Sequence, residues 1–503
     1  MDEQITISQL SLEYVGRKIT VKALVKDIYQ TTGPTLFTLF DGTDSIKASA
    51  FAGPGKRALP ALKEGMAVKA ELLIKQWEDI LEADLVSYVA LADPEQFKRK
   101  IEDMKLEKIQ PEADSFMIKS EILEKLKLRI EKAARLIKKA IIEGQPIIIR
   151  HHADADGYCG AVALERAIIP KLIGQHGSDS AQWKFYRRAP TRVPFYDISD
   201  ALKDITFSLS DVSKYGAKIP LIILVDNGSS EQDVLAIKKT KLYDANVIVI
   251  DHHMITSKDV DSCVDVHLNA HLVGGSASFT AGMLAAEIAR FVNKDVENIS
   301  FLPAIAGIGD RSSGKEFEQY LELAKSKGYD ADFLRNVAEC VDYEGYYLGY
   351  MESRELINDL LGGENCRKLV SLMTPEIKQK RKEQTETALN YVDIKEKNGV
   401  AIAMLDIQQT SFYGDYPPSG KITGMLFDAL KEKYDRLVVL GLIEGMIIVR
   451  MQNAGVTVVD IIKKLQQELP YAMVYGGGHE VAGTIKCVEA AKGEVLGCLV
   501  KYL

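Results

Sequence analysis

The residues that invite chemistry cluster at the ends of apolar runs. "IIIRHHADADGYCGA" stops at His151 and His152 and is followed by Asp154 and Asp156. "ILVDNGSS" ends in Asp226, "VIVIDHH" in Asp251, His252 and His253, and "PAIAGIGDRSSG" in Asp310. One Asp closing an apolar run is ordinary turn chemistry. Four such ends, which together use four of the chain's eight His, form a pattern of another kind. The donors are carboxylate oxygen and imidazole nitrogen without thiolate, a set suited to Mn, Mg, Fe or Zn, with the carboxylate majority favouring Mn or Mg. Seven or so ligands exceed what one ion with an open position takes. They suit two ions about 3.5–4 Å apart that share a carboxylate, an arrangement that activates water and steadies both oxygens of a phosphoryl displacement.

Such a centre has to be held by strands. From Pro146, continuous apolar runs ("PIIIR", "IPLIILVD", "ANVIVIDHH") alternate with helix-like stretches, which predicts an α/β fold built on a parallel sheet. In such sheets ligands bind beyond the carboxyl ends of the strands. All four candidate ends are therefore read as strand ends. Before this region, residues 1–93 predict a small β-barrel of OB type. The signs are the alternating "RKITVKALVKDIYQ", two strands about an Asp-Gly turn in "PTLFTLFDGTDSIKASAF", and "GMAVKAELLIKQW". Tyr29, Phe37, Phe51 and Trp77 are its candidate stacking platforms, at least half of them expected in the barrel core. Residues 94–146 predict a helical linker and 316–395 a helical connector. Residues 396–503 predict a smaller α/β domain ending in "YGGGHEVAGTIKC".

The whole chain excludes some classes. It has 503 residues, 47% hydrophobic and 27% charged, with net charge −8, so any nucleic-acid surface has to be locally basic. No run approaches the ~18 residues of a membrane span. "MDEQITISQL" lacks a signal-peptide pattern, and six scattered Cys argue against disulfides and a thiolate zinc site. A cytoplasmic protein with no membrane partner is expected.

Taken in order, "HADADG", "VDNGS", "DHH", "GIGD" and then "YGGGHEVAGT" resemble the DHH phosphoesterase superfamily with its associated C-terminal domain. Within it the chain looks most like the archaeal RecJ-like single-strand exonucleases. That resemblance implies two divalent ions, Mn2+ foremost with Mg2+ or Co2+ as alternatives. It implies that His152, Asp154 and Asp226 bind one ion. Asp156, Asp226, His252 and Asp310 would bind the other, with Asp226 bridging. His253 would face the scissile phosphate, and Asp251 would be a ligand or orient a His ring. Gly476, Gly477 and Gly478 would offer N–H groups to phosphate, with His479 and Arg450 contacting it. The implied activity is exonucleolytic hydrolysis of single-stranded DNA or RNA by metal-activated water. Two alternatives stand beside it. One is a small-substrate phosphoesterase acting on short oligonucleotides or cyclic dinucleotides. The other is a Cdc45-like replication scaffold that binds GINS; GINS or other replication and repair proteins are also possible partners of an active nuclease.

Several features carry simpler readings. His151 is expected to have no metal role. His267 and His271 read as structural hydrogen-bonding groups, and His176 as a surface-loop residue. "GGSAS" (Gly274 to Ser278) reads equally as a phosphate-side helix start or as tight packing. "GDRSSGKE" imitates a P-loop, but Glu316 stands where Mg2+ needs Ser or Thr. "YRRAPTR", with Arg187, Arg188 and Arg192, reads as a basic wall for a strand or as a solvated loop.

Overall fold

The computed structural model describes residues 5–503 except 78–79, 192, 194, 350, 352–353 and 479. The N-terminal strands are β1 (Lys18–Gln30), β2 (Thr35–Phe40), β3 (Ser45–Ala50), β4 (Ala67–Trp77) and β5 (Ile80–Ala90). They close into a barrel of order β1-β2-β3-β5-β4, with β3 and β5 parallel and the other pairs antiparallel. That is the connectivity of a five-stranded Greek-key OB barrel. Alternation drives it, since Val21, Ala23 and Val25 point inward with Phe37, Leu39, Leu72 and Ile74. Phe37 is therefore core, whereas Tyr29, Phe51 and Trp77 are each more than 60% exposed.

Two helices follow, α1 (Pro94–Lys108) and α2 (Glu121–Glu143). Ser120 caps α2 by accepting the Ile122 and Leu123 N–H groups, and Gly144, with φ +63°, ends it in the left-handed region that glycine enters without strain. The central sheet comprises β6 (Ile147–His152), β7 (Tyr186–Thr191), β8 (Leu221–Val225), β9 (Asn246–Ile250) and β10 (Val266–Leu268). All pairs are parallel and the order is β10-β9-β8-β6-β7. Its core strands are buried on both faces, which is why they read as unbroken apolar runs. Between them run α3 (Ala155–His176), α4 (Ala181–Phe185), α5 (Ile198–Tyr215), α6 (Glu231–Lys241) and α7 (Asp259–Cys263). Helices α2, α3 and α8 (Ala281–Val292) cover one face, and α5 and α6 cover the other.

The helical region continues as α9 (Leu302–Gly309), α10 (Lys315–Ser326), α11 (Ala331–Leu348), α12 (Arg354–Leu360) and α13 (Cys366–Tyr391). One expectation fails here: Asp310 ends a helix, not a strand. The run "LPAIAGIG" is apolar all round because α9 is buried, and periodicity cannot separate a buried helix from a buried strand. Pro303 in the first helical turn was the available signal. A second correction concerns His176. It is the last residue of α3, with its ring stacked on Phe185 at 4.5 Å and a ring nitrogen on the Ile141 carbonyl. The C-terminal sheet contains β11 (Asp393–Lys397), β12 (Val400–Asp406), β13 (Leu437–Ile443), β14 (Met446–Gln452), β15 (Tyr475–Gly478) and β16 (Ala482–Lys486). Its order is β11-β12-β13-β14-β16-β15. Among the described residues, no helix is long and apolar enough to cross a membrane.

Candidate metal centre

Three strand ends and one helix end converge. His152 is the last residue of β6, Asp154 caps α3, and Asp156 lies in the first turn of that helix. The residue after β8 is Asp226, that after β9 is Asp251, and Asp310 caps α9. Three sets of donor atoms lie close enough to hold an ion. They are His152 with Asp154 and Asp226; Asp156 with Asp226, His252 and Asp310; and Asp226 with His252 and His253. Asp226 belongs to all three. One of its oxygens, Oδ2, lies 3.3 Å from His152, while Oδ1 lies 3.2 Å from His252. Its backbone has φ +58°, a left-handed turn that throws the carboxylate off the end of the strand. Oδ1 is buried and accepts no hydrogen bond of good geometry among the described residues, as expected of an oxygen that awaits a cation.

The supports are as specific as the ligands. Asp154 accepts Gly157 N–H at 3.0 Å and so caps α3. Asp156 accepts Ala281 N–H at 3.0 Å and Gly282 N–H at 2.8 Å, which places it at the N-terminus of α8. No Cβ fits at Gly282, where it would lie 2.8 Å from the Asp156 carboxylate. The His252 Nδ1 bonds the Ala277 carbonyl at 2.7 Å, which turns Nε2 toward Asp226 and toward Asp310 at 3.0 Å. The "GGSAS" loop thus fixes an imidazole, a role the sequence reading missed. Asp251 accepts the N–H groups of Ser229, His252 and His253 and the His253 ring Nδ1 at 2.8 Å. These contacts hold the His253 ring in place. Asp342 accepts Ala155 N–H at 2.8 Å and pairs with Lys421 at 2.7 Å, so the helical connector and the C-terminal domain both brace the His152–Asp156 loop. Nothing in the local sequence marks that pair, because 187 residues separate Asp342 from Ala155.

Charge crowding shapes every group. Burial opposes protonation of His152 and His252, but the neighbouring carboxylates outweigh it and push both well above the ordinary imidazole value. Burial, with Asp226 and Asp310 beside it, pushes Asp156 well above the usual carboxylate range. Burial would raise Asp251 too, yet His253 holds it well below that range. A site that gathers protons in this way would bind a divalent ion by releasing them. The oxygen and nitrogen donors, the shared Asp226 and its buried unbonded oxygen fit divalent metal.

Other expected residues are distributed as follows. His151 is buried against the Tyr158 ring, with Nδ1 on the His152 carbonyl, outside all three donor sets. His267 bonds Ser229 Oγ at 3.0 Å from the buried side of the site. With Asp261 3.5 Å from its other ring nitrogen it imitates a catalytic triad, but Ser229 is fully buried. Gly476, Gly477 and Gly478 lie on the edge strand β15, and the Gln232 side chain of α6 donates to the Gly476 carbonyl across the two domains. A Cβ at Gly476 would lie 2.0 Å from the Thr484 carbonyl, so close strand pairing alone already requires that glycine. His479 lies outside the described residues. Arg450 is partly buried on β14, and burial, followed by the nearby Arg311, lowers its guanidinium to about 10. Arg311 follows Asp310 and pairs with Asp428 at 2.7 Å, which ties the metal loop to the C-terminal domain.

Residues 146–307 match the model of the DHH family, N-terminal domain. An uncharacterized protein of Methanocaldococcus jannaschii is 35% identical, over 99% of this chain and 70% of its own length. A solved DHH-domain structure, described as a member of a family of ribosomal proteins, is 41% identical. It covers 81% of this chain and 97% of its own, with a TM-score of 0.77. A structure of exonuclease RecJ bound to manganese is 16% identical, covers 74% of this chain and 94% of its own, and has a TM-score of 0.49.

Proposed function

The chain belongs to the DHH family, and from that premise we propose that it is a metal-dependent phosphodiesterase that hydrolyses single-stranded DNA or RNA from an end. The observation that carries this reading is Asp226, one buried carboxylate shared by three donor sets and flanked by His152 and His252 on different oxygens. His152, Asp154 and Asp226 would hold one ion, and Asp156, Asp226, His252 and Asp310 the other. Manganese is the proposed ion, with Mg2+ or Co2+ as substitutes. Two such ions lower the pKa of water and steady the entering and leaving oxygens of an in-line displacement. The chain's own groups do the rest. Asp251 locks the His253 ring through Nδ1, and His253 in this reading touches the scissile phosphate. Arg450 supplies positive charge to the same phosphate region from the C-terminal domain, and the β15 glycines supply backbone N–H groups. Asp342 and Lys421 keep the His152–Asp156 loop in register with that domain.

The barrel favours a polymer over a mononucleotide-sized substrate. Tyr29, Phe51 and Trp77 are exposed on its outer surface, where bases can stack. The test is a timed digestion of end-labelled DNA and RNA of roughly 5 and 40 nucleotides with Mn2+, with Asp226→Asn as control. Progressive shortening of the long strands, absent in the variant, supports the reading and gives polarity and sugar preference. Cleavage of only the short substrates moves the assignment to a small-oligonucleotide phosphodiesterase. No cleavage at all leaves a scaffold.

A further inference from the structure

The outer strand of the central sheet, β7, forms the floor of a cavity of about 520 Å3 that lies outside the metal centre. Five cationic side chains line it: Arg150, Arg187, Arg188, Lys203 and Arg354. Among the described residues, three carboxylates serve them. Asp204 grips Arg150 at 2.7 and 2.9 Å and stands 3.5 Å from Arg187. Asp200 lies 3.5 Å from Arg150 and 3.9 Å from Lys203, and Glu165 lies 3.4 Å from both Arg188 and Arg354. Five cationic side chains thus converge on one wall. The wall is also ordered by aromatic rings. The Arg354 guanidinium sits over Trp183 at 4.7 Å and Tyr186 at 5.3 Å, and Arg187 sits over Phe207 at 5.2 Å. Trp183 is 65% exposed, so its ring has an open face beside fixed guanidinium groups.

Position matters as much as charge. Strands β6 and β7 run in register, Arg150 with Ala189 and His152 with Thr191. The cavity floor therefore lies two residues, roughly 7 Å at about 3.3 Å per residue, below the metal-binding end of β6. A basic cavity with an exposed ring at its mouth thus lies beside the same two strands, just below the candidate metal centre.

We propose that the β7 cavity is a second nucleic-acid subsite, which holds a phosphate and a stacked base of a single strand whose end lies at the metal centre. The inference rests on the nuclease reading and deepens it, since it assigns the contacts away from the scissile bond. It is tested on the full-length protein by anisotropy of a fluorescein-labelled single-stranded 20-mer in EDTA. Two variants are compared with wild type, Arg187→Met/Lys203→Met and Trp183→Ala. Methionine keeps the apolar stem contacts, and thermal melts verify folding. The double variant should bind roughly tenfold more weakly, and its slope of log K against log salt should be shallower by about 0.7, the share of one single-strand phosphate. Trp183→Ala should lose affinity with no change of slope. Mn2+-dependent hydrolysis of a dinucleotide, which carries no phosphate beyond the scissile one, should be unchanged in both. Unchanged 20-mer affinity in both folded variants, with dinucleotide hydrolysis intact, overturns the subsite and leaves the nuclease standing. A wild-type protein that hydrolyses no oligonucleotide of any length overturns both.

Discussion

Asn in place of Asp226 separates the two jobs of that residue, folding and ion binding. The side chain is 1% exposed and sits on a backbone of φ +58°. Asn has the same shape and tolerates left-handed φ, so Asp226→Asn keeps the turn. Ala would confound the experiment with left-handed strain of about 1–2 kcal/mol. Without metal, Asp226 is buried beside Asp154 and Asp156, so loss of its charge removes like-charge repulsion. The metal-free variant should therefore melt no lower than wild type. With Mn2+ at about one hundred times Kd, each occupied site stabilises wild type by about 2.7 kcal/mol. At about 2–4 °C per kcal/mol for a domain of this size, one ion raises Tm by about 5–10 °C and two by about twice that. Both proposed ion sites include Asp226, so the variant should lose nearly the whole shift. Differential scanning calorimetry with a Mn2+ titration reads all four states. A variant that keeps the full Mn2+ shift would refute the shared-carboxylate argument, and a shift cut by half would assign Asp226 to one ion only.

Three further outcomes follow from the geometry. Asp204→Ala leaves the 4%-exposed Arg150 guanidinium without its bidentate partner, and urea unfolding should show a loss of up to about 3–5 kcal/mol, because a buried charge keeps only the more distant Asp200 at 3.5 Å. Burial raises the Glu287 carboxyl to about 7 from 4.5, although the Met117 N–H and the Tyr320 hydroxyl bond it. A raised carboxyl pKa means the native state holds a proton the unfolded chain has released, so stability should fall as pH rises from about 4.5 to 7, by on the order of 3 kcal/mol. Glu287→Gln should reduce that slope in unfolding curves taken across the window, since Asp233 and Glu344, which burial also raises to about 7, keep their share; an unaltered slope would refute the role of Glu287. Tyr29→Ala and Trp77→Ala on the barrel should each weaken single-strand binding by about 1–3 kcal/mol without changing dinucleotide turnover, since base stacking is lost far from the metal centre. Equal binding by both variants would remove the barrel from the substrate path.

What the sequence could disclose depended on how local the cause was. The barrel was legible because strand alternation is written residue by residue, and the central sheet because buried parallel strands are apolar throughout. The donor residues were legible because each sits where an apolar run must stop. Asp310 came with the wrong element attached, since a buried helix and a buried strand are equally apolar. The supports were invisible. The Ala277 carbonyl beneath His252, Asp342 beneath Ala155 and Gln232 against Gly476 are contacts between distant segments that no spacing rule encodes. The basic stretch at Arg187 could be read as wall or loop, and only the rings and carboxylates around it distinguish a cavity from a solvated surface.

Asp154 and Asp156 each already serve as acceptors for helix N-terminal N–H groups, one at α3 and the other at α8. Their oxygens are thus positioned by the same contacts that start two long helices, before any ion arrives. If the proposed ions bind here, they meet a preformed socket whose ordering entropy is supplied by folding and not by binding. Exchange of one divalent ion for another should then be limited by how fast the incoming ion sheds its water. The protein would sample whichever ion the surrounding solution offers without unfolding between occupants.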